Sequence, residues 1–318
     1  MIGRRHVRAG AGPGAFLRRA MLTGLCIGCG TTGLALEAPY CGDEGVWIQI
    51  LGSGGYELDD RGAASYLVWR DQRAVLLVDP GPGSAVRFGE AGADFADLDA
   101  VVFTNVAADR TADFPSFVAG SDGRTRPLPV FGPDGNDTYP STRELLERLL
   151  GRQGAYPGLA DYLTFRDPEG YRISVRDVPA TGQRRWARFG TDDLTLAAIP
   201  VHHGDMPSVA WRVEVAGQTI VFTGNFSNRK DVVAGFAEGV DALVIHLAIP
   251  EGARGLVRER YVRPSQIGRI AQRADARMVV LGYRTSRTLG RETQSRTALE
   301  QYYAGPLVFA NELECWGL

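Results

Sequence analysis

Val101–Phe114 reads VVFTNVAADRTADF. The run Ala100–Thr104 is short and apolar, with the look of a buried strand. Immediately after it the chain turns small and polar, through Asn105, Ala107, Asp109 and Arg110. A carboxylate and a guanidinium side by side at a strand end mark a place where loops build a site.

Working outward, the same pattern recurs. Val46–Leu51, Ala64–Trp69 and Ala74–Asp79 are further apolar runs bounded by Gly, Asp or Pro, and each reads as a strand. Leu194–His203, Val209–Val215, Thr219–Thr223, Ala242–His246 and Met278–Tyr283 follow in the second half, with Ala216-Gly217 as a hairpin turn. Helices lie between them. Ser141-Thr-Arg-Glu144 forms a capping box before Leu145, Leu146, Leu149 and Leu150, with Gly151 at the expected C-terminal cap. Further helices are expected near Asp231–Glu238, over Pro264–Ala276 and over Arg291–Ala304. The fold class is therefore α/β, with sheets covered by helices. Residues 120–190 are rich in Pro, Gly and Arg and are expected to be an insertion.

Composition narrows the chemistry. Among 318 residues there are four histidines, His6, His202, His203 and His246, and four cysteines, Cys26, Cys29, Cys41 and Cys315. Any metal-rich reading must be met from these and the carboxylates. The chain carries 35 basic and 37 acidic residues. Five arginines and one acid fall in residues 1–38, so the remainder is net −6, which does not favour a nucleic-acid partner.

The order of these segments resembles the metallo-β-lactamase fold, and within it the ribonuclease Z-like hydrolases. The resemblance covers roughly residues 45–312. It is carried by VWIQILGSGG (Val46–Gly55), LLVDPGPG (Leu76–Gly83), Val101–Phe114, IPVHHGDMPSVAWRV (Ile199–Val213), IVFTGNFS (Ile220–Ser227) and RMVVLGYR (Arg277–Arg284). It implies a four-layer αββα sandwich and a hydrolase using one or two zinc ions. In such proteins imidazoles and carboxylates hold zinc, which polarises substrate and acidifies bound water.

At the positions matching the family's ligands this chain departs from the pattern. The HxHxDH motif reads Asn105-Val106-Ala107-Ala108-Asp109-Arg110, so only Asp109 survives. His203 stands at the next ligand position, Asn225 replaces the bridging aspartate and Tyr283 replaces the last histidine. Tyr261 and His246 stand where relatives place groups close to the ligands. Five of the seven ligand positions are thus substituted. Ala107 has no donor atom, and Arg110 adds a fixed positive charge; two like charges about 4 Å apart repel by roughly 4 kcal/mol at an effective dielectric of 20. No zinc is therefore expected.

Two readings of Arg110 are open. Its guanidinium can replace the lost cation, pairing with Asp109 and bonding Asn105, Asn225 or Tyr283; or it can point to solvent. The functional expectation is a metal-free pseudo-hydrolase that binds a small anionic or ester-like ligand. The alternative is an active metal-dependent ester or phosphodiester hydrolase with a reduced site around Asp109, His203 and His246. A nucleic-acid-handling role is suggested only by the ribonuclease Z-like segments. Adjacent strand residues face opposite ways, so one of His202 and His203 looks into the site. Ser208, Thr223 and Ser227 lie nearby as hydroxyl candidates.

Residues 1–38 read as an export signal: Arg4, Arg5, Arg8, Arg18 and Arg19 precede the uncharged stretch Ala20–Leu36. Cleavage near Ala38, or lipidation at Cys29, are the two processing routes. The expected location is periplasmic or secreted, with membrane contact only through the leader. Cys41 and Cys315 then flank the domain of residues 39–318. Domain termini often lie close together, so an oxidising compartment would permit a Cys41–Cys315 disulfide; the alternative is two free thiols.

Overall fold

The computed structural model describes residues 41–164, 170–182, 186–190 and 193–318. The leader readings, including Cys29, fall outside these residues.

Two seven-stranded sheets make up the body. The first is assembled in the order β14 (Cys315–Gly317), β1 (Val46–Gly52), β2 (Ser65–Arg70), β3 (Arg73–Val78), β4 (Ala100–Val102), β5 (Leu128–Pro133) and β6 (Ile173–Val178). The second runs β13 (Leu307–Phe309), β12 (Met278–Gly282), β11 (Ala242–His246), β10 (Gln218–Phe222), β9 (Ser208–Val215), β8 (Leu194–Val201) and β7 (Trp186–Gly190). Both sheets are mixed. β1, β2 and β3 form an antiparallel meander and β3 to β6 are parallel, while β8 to β10 are antiparallel and β10 to β13 parallel.

Burial explains why the strand runs are apolar nearly throughout. Strands covered on both faces lose the polar alternation of a half-exposed sheet. One face of each sheet meets the other through Ile48, Ile50, Tyr66, Val68, Trp211, Val213, Phe222 and Val244. The outer face of the second sheet is covered by α6 (Val233–Phe236), α7 (Pro264–Arg273) and α8 (Glu292–Glu300), which bury Val233, Ile267, Ile270 and Leu299. The outer face of the first is covered by α1 (Ser84–Glu90), α3 (Phe114–Ala119) and α4 (Thr142–Leu150), with Phe88, Phe117, Leu146 and Leu150 inward. This is an αββα sandwich.

Local signals hold in detail, with some differences. Ser141 Oγ accepts from the Glu144 amide at 3.2 Å and caps α4. Glu144 reaches Arg148 one turn on instead of closing the box. Gly151 ends the helix in an extended conformation, not the left-handed one. Ala216 and Gly217 both have positive φ, +46° and +80°, as a two-residue hairpin turn requires. α7 stops at Arg273, short of Ala276, where Asp275 turns left-handed at φ +49°.

Among the described residues of 120–190, where an insertion was expected, two strands join the first sheet. β5 and β6 extend the first sheet in parallel register, and Leu128, Val130, Ile173 and Val175 belong to its outer core.

Cys41 and Cys315 are joined by a disulfide, Cα–Cα 5.2 Å, across 274 residues of sequence. It fastens β14 beside the start of the domain. Closing so long a loop contributes about 5 kcal/mol in the chain-entropy model. Cys41→Ser should lower unfolding stability by about 2–5 kcal/mol in denaturant titration, and dithiothreitol should do the same to the wild type. In protein with Cys26 and Cys29 changed to serine, two titratable thiols in the denatured, unreduced chain would refute the bond.

Candidate active site and its buried guanidinium

Every group of interest leaves its strand at the carboxyl end. Asp79 follows β3, Asn105 to Arg110 follow β4, His203 follows β8, Asn225 follows β10, and Tyr283 follows β12; His246 is the last residue of β11. The two sheets bring these ends together at one edge of the sandwich, where ligand crevices of α/β sheets lie. Gly282 lets the sheets close up: a Cβ there would lie 1.9 Å from the Tyr66 hydroxyl oxygen.

Arg110, in α2 (Ala108–Thr111), has no exposed surface. The solvent-facing reading of it is therefore wrong. Its Nε lies 3.5 Å from Asp79 Oδ2, and Nη1 lies 3.9 Å from Asp109 Oδ2 and 3.4 Å from the Ala64 carbonyl. Its Cζ sits 4.5 Å above the Tyr283 ring centroid, a cation–π contact in a desolvated place. Tyr283 in turn stacks on His246 at 5.0 Å and 16°, and its hydroxyl donates to Asp109 Oδ2 at 2.9 Å. Tyr283 holds a left-handed backbone, φ +50°, a conformation that costs free energy for a non-glycine and is retained where surroundings enforce it.

Asp79 is the partner that sequence reading missed. It ends the apolar run of β3 and is buried, and its carboxylate accepts from the Thr104 amide at 2.6 Å and the Thr104 hydroxyl at 2.7 Å. The one available signal was an acid at the close of a wholly apolar strand. Burial pushes its carboxyl up to about 6, with Arg110 and Thr104 pulling back, so it is anionic at neutral pH. Burial works against the charge on Arg110, but Asp109 and Asp79 more than offset it, and the guanidinium stays protonated.

The remaining groups are held by specific bonds. His246 Nδ1 is 2.7 Å from Asn225 Oδ1 and 3.5 Å from Arg110 Nη2. Arginine can only donate, so one nitrogen cannot serve both; the shorter contact puts the proton on Nδ1, donated to Asn225. His246, expected beside the site, thus touches its centre. His203 Nδ1 donates to the Arg260 carbonyl at 2.8 Å, which leaves Nε2 with its lone pair. Burial, aided by the Arg110 charge, pushes the His203 imidazole down to about 4, and burial with the Arg110 charge also holds His246 well below the usual imidazole range. Asn105 Oδ1 accepts from the Ala107 amide at 2.9 Å. Arg110 has no bond to Asn105 or Asn225; its contacts run to Asp79, Asp109, His246 and Tyr283.

Above this layer lies a cleft of about 630 Å³. Asn105, Ala107, Asp109, His203, Asn225, Tyr261 and Tyr283 line it, with Tyr56, Arg260 and Arg287. Tyr261 is within hydrogen-bonding reach of Tyr283. His202 is turned to Ser227 Oγ, 2.7 Å away, while Ser208 and Thr223 donate to backbone carbonyls. The hydroxyl candidates therefore form no pair with His203.

The chain belongs to the beta-lactamase superfamily, whose domain model matches residues 75–282. A curated relative, the Ribonuclease Z of Mycobacterium bovis (strain BCG / Pasteur 1173P2), is 28% identical over 283 residues, covering 84% of this chain and 96% of that protein. Among solved structures, the short form of human tRNase Z superposes with a TM-score of 0.65 at 14% identity, covering 85% of this chain and 98% of that one. The metallo-beta-lactamase fold protein YhfI from Bacillus subtilis gives 0.63 at 18% identity, with 85% and 98% covered. These likenesses bear on the fold, and the sandwich expected from the six ordered segments is the one found.

Zinc is the ion the family implies, and the donor set does not fit it. Of the seven positions that the resemblance matches to ligands, only Asp109 and His203 offer a carboxylate or imidazole. Among the described residues, no group of three or more His, Cys, Asp or Glu is placed to hold a metal ion. The guanidinium of Arg110 already supplies a fixed cation between Asp79 and Asp109.

Two outcomes follow. Arg110→Met leaves Asp79 as an unpaired buried charge and should cost about 3–5 kcal/mol in denaturant unfolding. The double variant Asp79→Asn/Arg110→Met should recover most of that loss; no recovery would mean the pair is not coupled. The pH dependence tests His203. Its folded pKa lies below its unfolded value of 6.5, so its contribution is complete above pH 6.5 and is lost as pH falls to about 4. Asp79, raised to about 6, works in the opposite direction. Comparison of wild type with His203→Asn isolates the histidine: the stability gap between them should narrow by up to about 3 kcal/mol from pH 7 to pH 4.

Proposed function

We propose that this chain is a metal-free member of its family, a pseudo-hydrolase that keeps the substrate cleft and binds a small anionic ligand there. The observation that carries this reading is the sealed Arg110 guanidinium, placed among Asp79, Asp109, His246 and Tyr283 where the resemblance puts the metal ligands. A buried cation with its own carboxylates leaves no room in charge for a second one. Ribonuclease activity, as named for the mycobacterial relative, is not expected of a body with net charge −6 and five substituted ligand positions. Export to an oxidising compartment is part of the proposal, supported by the basic-then-apolar leader and the Cys41–Cys315 bond.

Elemental analysis of purified protein should give zinc far below one ion per chain, with no turnover of phosphodiester, ester or lactam substrates. Stoichiometric zinc with turnover abolished by His203→Ala would overturn the proposal in favour of a working reduced site. Conversely, Asn105→His, Ala107→His, Arg110→His, Asn225→Asp and Tyr283→His introduced together should restore zinc binding. A folded quintuple variant that takes no zinc would count against the scaffold reading.

A further inference from the structure

We propose that the cleft above Arg110 receives a sugar carrying an acidic group, either a phosphate or a carboxylate. Arg260 and Arg287 hold the acid, and the cleft floor holds the hydroxyls. The inference rests on the metal-free reading of the same site and names its ligand.

Arg110 cannot be the anion receptor. It has no exposed surface, and two carboxylates already answer its charge. The cations that do line the cleft are Arg260 and Arg287, both on its exposed side. Among the described residues, neither forms an ion pair with a carboxylate. Unpaired guanidinium forks suit the paired oxygens of a carboxylate or phosphate.

The floor asks for a different chemistry. Each of its four polar groups spends one side on the protein and keeps the other. Asp109 accepts Tyr283 through Oδ2 and keeps Oδ1. His203 commits the Nδ1 proton to the Arg260 carbonyl and keeps the Nε2 lone pair. Asn105 and Asn225 engage their oxygens with the Ala107 amide and His246 and keep their NH2 groups. Two acceptors and two donors thus line one cleft. A hydroxyl donates and accepts at once, so a set of neighbouring hydroxyls satisfies such a mixture. A plain ester or lactam, which only accepts or nearly so, leaves Asp109 and His203 unmet. Tyr56 and Tyr261 add ring faces of the amphipathic kind that cover the C–H face of a sugar. The volume of about 630 Å³ lies within the range of small-molecule sites.

Titration calorimetry on the zinc-free, full-length protein tests this. The probes are glucuronate, galacturonate, glucose 6-phosphate and ribose 5-phosphate, with glucose and inorganic phosphate as controls. At least one acidic sugar should bind at one site per chain, tenfold or more tighter than either control. Uronates against sugar phosphates decides which acid is used. Arg260→Ser/Arg287→Ser changes two exposed side chains and should weaken that binding roughly 10- to 100-fold. Tyr56→Ser should weaken the sugar but not inorganic phosphate. Inorganic phosphate binding as tightly as the best acidic sugar would overturn the proposal, as would no heat from any acidic sugar in folded protein. Neither result touches the metal-free reading, which falls only to stoichiometric zinc with turnover.

Discussion

The structure depends on where one positive charge sits. Arg110 carries a guanidinium that does not lose its proton, and it has no exposed surface. Taking such an ion from water costs several kcal/mol even after relaxation. The offset comes from four directions: Asp79 from the end of β3, Asp109 beside it, the Tyr283 ring from β12, and the Ala64 carbonyl at the start of β2. Those partners belong to both sheets. The charge therefore couples the sheets' ends, and the left-handed backbone at Tyr283 is the visible strain of bringing that ring over it.

A metal and a guanidinium place different demands on the same shell. A divalent ion needs several lone pairs aimed at one point, with anionic charge to match. A guanidinium needs acceptors spread around a plane and a ring face to lie on. Asn225 and Tyr283 fit the second demand. Tyr283 provides the face, and Asn225 orients His246 through a 2.7 Å bond. The residues at these positions therefore serve one arrangement around the guanidinium. Arg260 and Arg287 lie farther out, at the wall of the cleft.

Much of the fold was readable because burial writes itself into strand composition. Ala242–His246 is a strand over the residues expected of it. Ser141 caps its helix, and Ala216-Gly217 turns its hairpin, because these are local bonds and local dihedrals. Pro and Gly content said less at 120–190, where two of the described segments are strands of the first sheet. β6 is an edge strand with one free flank, while β5 pairs with β4 and β6 and carries its prolines at its second and last positions. The end of α7 slipped because Asp275 takes a left-handed turn, which aspartate tolerates but which the apolar period does not show.

The sequence alone determined the superfamily and the order of the segments, because those are facts of residue type and spacing. It also placed Asp109, Arg110, His203, Asn225 and Tyr283 at the ends of strands. It did not decide which way Arg110 points. That depends on Asp79, 31 residues away in the chain and 3.5 Å away in space, and on a tyrosine from the other sheet. Whether a charged side chain faces water or the interior is set by the partners that meet it there, and only the packing of the two sheets assembles those partners.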